Sequence, residues 1–478
     1  MDLLSLPYAL FVAASALLFH CMPSRFRPVF LMAASLLLYG YFSPASAAIL
    51  VVSALIVFGT ARALDSQGQS SSRRSLFLAG ALALLLGYLL LIKCLPLLHE
   101  RGQALGSGRI LIALGVSYYT FKLMGYLIDI YWHKYPAWTD PVSFLAYAAF
   151  FPQLAAGPIQ RASDFHLPGA GSGTAELMAH GLKRIFWGMI KKTIVADQLA
   201  SVVAYIDGAQ PQFSNMLWIA ACLYAIEMYF DFAALTDIAV GTAALFGIKS
   251  PENFAYPFFA PSISQFWRRW HITLTFWLTD YVFTPLRMST RNIGNWGLAL
   301  SITINMILIG LWHGIGMGFL IFGLVHSVFL IVDSFTASWR RKYYKRHPLA
   351  DRATNLVGPF FVFVMVAFAL IFFRAAAMPN IVYQMRHLCD GISAPIASLQ
   401  KLYYNYSRML FGLTGLATAG ALGIELWSYL RPRHEKVTLL IPSFSAWPLP
   451  CRWLVYYAGI AVAVTLHQRN VHFIYVQF

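Results

Sequence analysis

Apolar runs of membrane length dominate the pattern of this chain. A helix crosses a hydrocarbon core with about 20 mostly apolar residues. Stretches of that kind lie near 3–20, 28–43, 47–64, 76–98 and 109–131. Others lie near 184–206, 215–247, 355–373, 409–430 and 453–468, and the run 296–335 has room for two. The pattern predicts about 10–12 spans, nearly all helical, because lipid offers no partner to an open backbone N–H or C=O. The first run lacks a basic leader and a small-residue cleavage site, so it reads as a membrane helix and not as a removed signal peptide. The expected fold class is an all-α polytopic membrane protein. No internal repeat, low-complexity segment or soluble domain stands out. The chain reads as one integral membrane domain over 1–478, with N-terminal spans in 1–108, a core in 109–335, and C-terminal spans and a tail in 336–478.

The pattern breaks between about 134 and 300, where Pro, Gly and paired charges interrupt the apolar runs. Phe150-Phe151-Pro152-Gln153-Leu154-Ala155-Ala156-Gly157-Pro158 is apolar but too short and too broken to span. It reads as a re-entrant or interfacial segment. Non-helical backbone survives at membrane depth only where protein or a water-filled cavity covers it. Function is therefore expected in this part of the chain.

Composition agrees with the pattern. Hydrophobic residues make up 59% of the chain and charged residues 11%, against about 25% charged in a soluble domain. That excludes a soluble enzyme, a disordered protein and a secreted disulfide scaffold. The net charge of +16 fits basic cytoplasmic loops and anionic head groups, and membrane lipids, not nucleic acid, are the expected partner. Arg25 and Arg27 flank the first loop, the second has no charge, and Arg62, Arg73 and Arg74 mark the third. This places loops one and three in the cytoplasm and the N-terminus outside. The cluster Arg340, Arg341, Lys342, Lys345 and Arg346 is placed inside, 374–408 outside, Arg431, Arg433 and Lys436 inside, and the tail outside. Cys21, Cys94, Cys222, Cys389 and Cys451 are scattered, so neither a disulfide framework nor a cysteine metal site is expected.

Three clusters could carry chemistry. Gln265-Phe266-Trp267-Arg268-Arg269-Trp270-His271 sets two arginines beside a histidine in an apolar setting. It is either an interfacial helix with snorkelling arginines or a cytoplasmic mouth whose guanidinium forks hold an anionic substrate. Gly310-Leu311-Trp312-His313-Gly314 puts a histidine inside a long apolar run, with glycine on both sides to admit backbone or ligand. His313 is either a hydrogen-bonding core residue or a general base. His326 lies thirteen residues further on, a spacing that argues against a shared site. Tyr229-Phe230-Asp231-Phe232-Ala233-Ala234-Leu235-Thr236-Asp237 places acids in an apolar helix, where Asp231 and Asp237 are expected to pair with buried arginines or cap backbone. Glu227 and Asp231 could share a face, but no histidine completes a metal site, and none is expected. There is no Walker A loop and no Gly-x-Gly-x-x-Gly; Gly157-Pro158 and Gly169 to Gly173 are loop material.

Taken in order, these motifs resemble the membrane-bound O-acyltransferase family, in its bacterial branch typified by alginate O-acetyltransferase. The resembling stretches are Gly115-Val116-Ser117-Tyr118-Tyr119-Thr120-Phe121, Phe151-Pro152-Gln153 with Gly157-Pro158-Ile159, and Tyr229-Phe230-Asp231-Phe232. They continue with Asn253-Phe254, Tyr256-Pro257, Phe266-Trp267-Arg268-Arg269-Trp270-His271-Ile272 and Gly310-Leu311-Trp312-His313-Gly314. Lys122 departs from the branch, which often has Gln there, and Ala234-Leu235-Thr236 replaces the usual Gly-Tyr-Ser. The resemblance implies a helix bundle with a re-entrant segment around a central pore. A cytoplasmic funnel would take the acyl donor and an outer funnel the acceptor. It implies His313 as catalytic residue and His271 as a second functional position. Arg268, Arg269, Trp312, Gln153 and Asp231 are the candidate substrate contacts. The ending Phe473-Ile474-Tyr475-Val476-Gln477-Phe478 resembles Phe-x-Tyr-x-x-Phe tails of this branch, which makes Tyr475 a candidate acyl relay.

The expected function is transfer of an acyl group, acetyl in the first place, from cytoplasmic acetyl-CoA to an extracytoplasmic polysaccharide. The setting is the bacterial inner membrane, with an esterase-like acyltransferase as outer partner and no tightly bound cofactor. Two rivals stand beside it. One is a D-alanyl transferase drawing on a carrier-protein thioester, which Gly247-Ile248-Lys249-Ser250-Pro251-Glu252-Asn253-Phe254 leaves open. The other is a glycan or lipid transporter without covalent chemistry, which broken helices and intramembrane charge would suit.

Overall fold

The computed structural model describes residues 3–66, 72–100, 115–154, 157–167, 174–208, 214–375, 378–390, 394–430 and 448–466. Helices and loops make up these residues, and no strand occurs among them. The chain forms two compact units. The first is Met1–Ile185 with Thr236–Glu252, and the second is Phe186–Leu235 with Asn253–Phe478.

The first unit holds α1 (Leu6–Cys21), α2 (Arg27–Phe42), α3 (Pro44–Ser66), α4 (Ser72–Glu100), α5 (Val116–Tyr131), α6 (Pro141–Ala148) and α7 (Phe151–Leu154). It also holds most of α8 (Thr174–Ile190). Local sequence sets the ends. Ser5 Oγ accepts from Tyr8 N at the start of α1, with Pro7 in the first turn. Asp140 caps α6 by accepting from Val142 N and Ser143 N, with Pro141 in its first turn. Such caps satisfy N–H groups that have no partner within the helix. Within the described part of the broken segment, Phe151–Leu154 form one short buried turn, α7. The Phe151 ring meets those of Phe11 and Phe246 edge-on, at 5.3 and 5.5 Å.

A polar network fastens this segment. Lys122 of α5 is buried and donates to Tyr147 O (2.6 Å) and Gln153 Oε1 (3.2 Å). Gln153 Nε2 donates to Gln160 Oε1 and to Ser250 Oγ (2.9 Å). Gln160 Nε2 donates to Asp164 O and Lys249 O, both at 2.9 Å. Arg74, read from the sequence as a loop charge, is buried instead. Its guanidinium donates to His133 Nε2 and to Tyr131 O, which supply the acceptors that water would have given.

The second unit begins with the end of α8 and a π-helical stretch, Lys191–Ala196, followed by α9 (Asp197–Gly208). Helix α10 (Leu217–Leu245) follows, with Leu217–Leu235 in this unit and the remainder in the first. Then come α11 (Ile263–Trp267), α12 (Ile272–Leu278), α13 (Thr284–Ser289), α14 (Gly294–His313), α15 (Met317–Arg346) and α16 (Pro348–Arg374). The last four are α17 (Met378–His387), α18 (Pro395–Asn405), α19 (Arg408–Leu430) and α20 (Leu449–Leu466). Helices α14 and α15 form a hairpin that needs glycine. A Cβ on Gly310 would stand 2.2 Å from Phe319 O, and one on Gly314 2.4 Å from the Phe319 ring.

Among the described residues, eight helices are long and apolar enough to cross a membrane: α3, α4, α10, α14, α15, α16, α19 and α20. Helix α1 is apolar but has 16 residues. The protein is thus an all-α polytopic membrane protein. Among the described residues fewer full spans emerge than the hydropathy pattern predicts, and the start of the run at 109–131 lies outside them. The run at 28–43 gives a helix of 16 residues, and the run at 184–206 is interrupted by the π-helical stretch.

Two of the three acids of α10, Asp231 and Asp237, are paired with cations, as buried charge requires. Asp237 accepts from Arg184 Nε at 2.9 Å, and the same guanidinium donates both terminal nitrogens to the Glu252 carboxylate. Asp231 takes Lys192 at 2.7 Å, and Asp197 takes it at 2.8 Å. Asp231 is therefore paired with a lysine, whereas the sequence reading offered an arginine. The guanidinium of Arg184 is 2% exposed. Removing one member of a buried pair costs about 3–5 kcal/mol, because the other charge is left uncompensated. Arg184→Ala should lower stability by that amount, read from thermal unfolding in detergent micelles. An unchanged unfolding midpoint would show that the pairing carries no stability.

Candidate functional site

The stretch Gln265–His271 owes its position to helix α15. His326 Nδ1 accepts from the Trp267 indole N–H at 3.3 Å, and Asp333 Oδ2 accepts from Ser264 N at 3.1 Å. The two acceptors are seven residues apart, which puts them on one face of α15. Ser262 Oγ caps α11 by accepting from Gln265 N. The helix then closes, with the N–H groups of both Arg269 and Trp270 bonded to Phe266 O at 2.9 Å.

His271 follows in the left-handed region, with φ 43° and ψ 53°. A residue with a Cβ adopts that conformation only where its surroundings over-determine it. Asn253 does so here. Its carbonyl accepts from Ile272 N at 2.9 Å. Its side-chain Oδ1 accepts from Thr273 N at 3.3 Å and Thr273 Oγ1 at 2.6 Å. Two residues on, Ala255 N donates to Arg269 O. The backbone on both sides of His271 is therefore clamped to one short strap.

The imidazole of His271 enters an aromatic enclosure. Its ring lies 4.7 Å from Phe232 and 5.3 Å from Trp312. Trp312 in turn lies 4.7 Å from His313, and His313 4.9 Å from Phe373. Trp312 thus stands between two buried imidazoles, from α14 and from the turn after α11. His313 is the last residue of α14, followed by the close approach at Gly314. Phe373 touches Phe322, and Phe322 touches His326. His326 is separated from His313 by the rings of Phe373 and Phe322 and is engaged by the Trp267 indole. Burial pushes the His271 pKa down to about 3, so the ring is neutral at physiological pH.

The cationic candidates separate. Arg269 donates to Phe259 O and Gln265 Oε1 and lies over the Tyr429 ring. Arg268 is exposed. Asp231 sits in the ion pair with Lys192, next in sequence to the Phe232 that packs on His271. Gln153 belongs to the Lys122 network of the first unit. Tyr475 lies outside the described residues. Among the described residues, no group of three or more His, Cys, Asp or Glu side chains could hold a metal ion. Sequence reasoning missed the positioning parts: Asn253, His326, Lys192 and Asp333. Asn253 had been noted as a motif residue, but nothing in its sequence neighbourhood revealed that it clamps a histidine eighteen residues away.

A sequence model of the membrane-bound O-acyltransferase family matches residues 138–377, half of the chain, and this protein belongs to that family. His271, Trp312, His313, Asn253 and His326 all fall within the match. The chain is 32% identical over 267 residues to the probable alginate O-acetylase AlgI of Pseudomonas fluorescens, which covers 56% of this chain and 52% of the relative. It is 32% identical over 282 residues to the teichoic acid D-alanyltransferase of Bacillus subtilis, covering 54% of this chain and 68% of the relative. It is 31% identical over 299 residues to the peptidoglycan O-acetyltransferase of Helicobacter pylori, covering 56% and 54%. The chain spans about half the length of the alginate relatives that it matches.

The neutral His271 has a consequence for stability. An unfolded histidine titrates near 6.5 and the folded one near 3. Between these values the unfolded chain binds a proton that the folded chain refuses, so stability falls as pH drops from about 6.5 toward 3. His271→Phe removes that contribution. Its thermal midpoint should decline less steeply than the wild type's over this range, and parallel declines would contradict the assignment.

Proposed function

We propose that this protein is a membrane O-acyltransferase of the bacterial inner membrane. It passes an acetyl group from acetyl-CoA on the cytoplasmic side to a polysaccharide outside. The observation that carries the reading is the pair of buried imidazoles, His271 and His313, held against the two sides of Trp312 within the family match.

The chemistry follows from that pair. His313 accepts the proton of an attacking hydroxyl while its oxygen bonds to the thioester carbonyl carbon. The tetrahedral intermediate collapses, the C–S bond breaks, and the thiolate leaves with a proton returned from the imidazolium. General-base help of this kind is worth about 10²–10⁴-fold. His271, neutral and fixed by Asn253, serves as a hydrogen-bonding neighbour to the reacting groups. Arg268, exposed at the surface, suits the phosphates of the donor, whereas Arg269 braces the turn. Trp312 walls the site and excludes water, and Asp231 holds the helix that presents Phe232 to His271. Tyr475 is the first acceptor, forming an ester that an outer esterase-like partner resolves onto sugar hydroxyls.

A second reading, D-alanyl transfer from a carrier-protein thioester, is favoured by the Bacillus subtilis relative, of which this chain covers 68%. The same histidines would serve it.

Ester-linked acyl groups on envelope and secreted polysaccharide test both readings. The gene deletion, wild-type complementation and His313→Ala are compared at matched membrane levels. His313→Ala should lower the ester at least about 100-fold, and the missing group, acetyl or D-alanyl, names the donor. If polymer amount falls on deletion and His313→Ala restores it, the protein exports and does not acylate. Tyr475→Phe removes only a hydroxyl. Loss of transfer is expected, and normal transfer would exclude the relay.

A further inference from the structure

The second unit contains a cavity that the proposed transfer does not use. It has a volume of about 200 Å³ and lies between α19 and the α8 end with its π-helical stretch. The mouth is on α19, where Gly420 and Ile424 are exposed. The floor is Phe230 and Val195, both almost fully buried. Space is made by small residues, and a Cβ on Gly420 would meet nothing within 4 Å. Trp187 and Ile194 line the cavity as well.

One end of the cavity is polar. Lys191, Glu425 and Ser428 line it there. Lys191 Nζ stands 3.8 Å from Glu425 Oε1, and the same oxygen accepts from the Tyr229 hydroxyl at 2.7 Å. An ionisable group inside a membrane helix is costly and marks a functional position by default. Glu425 lies five residues before the end of α19, about 8 Å along the helix axis. The polar end therefore sits near one end of the span, and the apolar part runs from it toward the middle, about 16 Å from Ser428 to Ala417. Around the mouth, α19 exposes Leu413, Leu416 and Trp427, so this side of the helix faces hydrocarbon.

These features name an occupant. Water would need two to four polar partners, which the apolar stretch does not provide. A cavity that opens on lipid, apolar along its length and with an ammonium beside a carboxylate at the head-group end of a span, fits an amphiphile with a phosphate-bearing head and a hydrocarbon chain. We propose that it binds one phospholipid of the surrounding bilayer, with an acyl chain laid along Ala417, Gly420 and Ala421 and the phosphate at Lys191. The π-helical stretch contributes directly, since it carries Lys191, Ile194 and Val195 to the cavity wall. Such turns recur at functional sites within helices.

The test is independent of acyl transfer. Full-length protein, delipidated in detergent, is titrated with phosphatidylglycerol, and bound lipid is counted by native mass spectrometry. The wild type should retain one lipid per chain. Gly420→Leu fills the cavity and should weaken retention by about tenfold or more. Gly412→Leu is the control, because Gly412 is an equally open glycine on the same helix outside the cavity. Lys191→Gln should bind more weakly than wild type. If Gly420→Leu does not elute as a single folded species, Ala417→Leu fills the cavity from the next turn and carries the same expectation. Retention in the filled variant equal to wild type overturns the proposal. Equal loss in Gly412→Leu also does, since it would show ordinary annular lipid.

Discussion

A carboxylate placed inside an apolar helix has to be matched by a cation that reaches it, and much of this structure follows from that demand. Helix α10 carries Asp231 and Asp237 six residues apart in a run that is otherwise fit for lipid. Lys192 meets the first and Arg184 meets the second. Both cations come from one helical run, Thr174–Gly208, so the pairing fixes the register of that run against α10. The π-helical stretch at Lys191–Ala196 lies where that register is set, and it carries both Lys192 and the neighbouring Lys191. A straight α-helix would space these side chains differently. We regard the extra residue in this turn as the local adjustment that lets the pairing close.

The same logic of compensation governs the two candidate histidines. His271 sits in a backbone conformation that its Cβ disfavours, and it stays there because Asn253 supplies hydrogen bonds to the residues that follow it. His313 ends a helix at a point where glycine lets the Phe319 ring come close. Neither position is cheap, and strain of this kind collects where a side chain must be aimed and not merely buried. Trp312 makes one enclosure of the two imidazoles. His326 then ties that enclosure to α11 through the Trp267 indole. The two neighbouring arginines divide along similar lines: Arg269 is consumed in bracing the turn, and Arg268 remains at the surface.

Much of this was legible in the chain. The apolar runs at 3–20, 28–43, 47–64, 76–98, 215–247, 409–430 and 453–468 match helices to within four residues at each end, because the length of an apolar run is a direct response to the thickness of the hydrocarbon layer. The broken segment around Phe151 was recognised as non-spanning from its Pro and Gly content, and Phe151–Leu154 form a single buried turn. The glycines beside Trp312 and His313 were read as permitting close approach, and backbone and ring do approach them. The candidate residues drew notice because a histidine or an aspartate in an apolar run is conspicuous. The partnerships of Lys192, Asn253 and Asp333 did not show along the chain, because they depend on which segments meet.

The sequence by itself therefore determined that this is a helical membrane protein, where its long helices run, and which rare polar residues need an explanation. It also placed the chain in its family, through motifs whose order survives even where each is short. Only the tertiary structure decided who compensates whom. It joined Asp231 to a lysine and not an arginine, tied His326 to the Trp267 indole, and buried Arg74 where a loop charge was expected. The physical reason is that periodicity along a chain reports the solvent around each helix. Pairing between charges and the aiming of a side chain depend on which helices meet, and at what register.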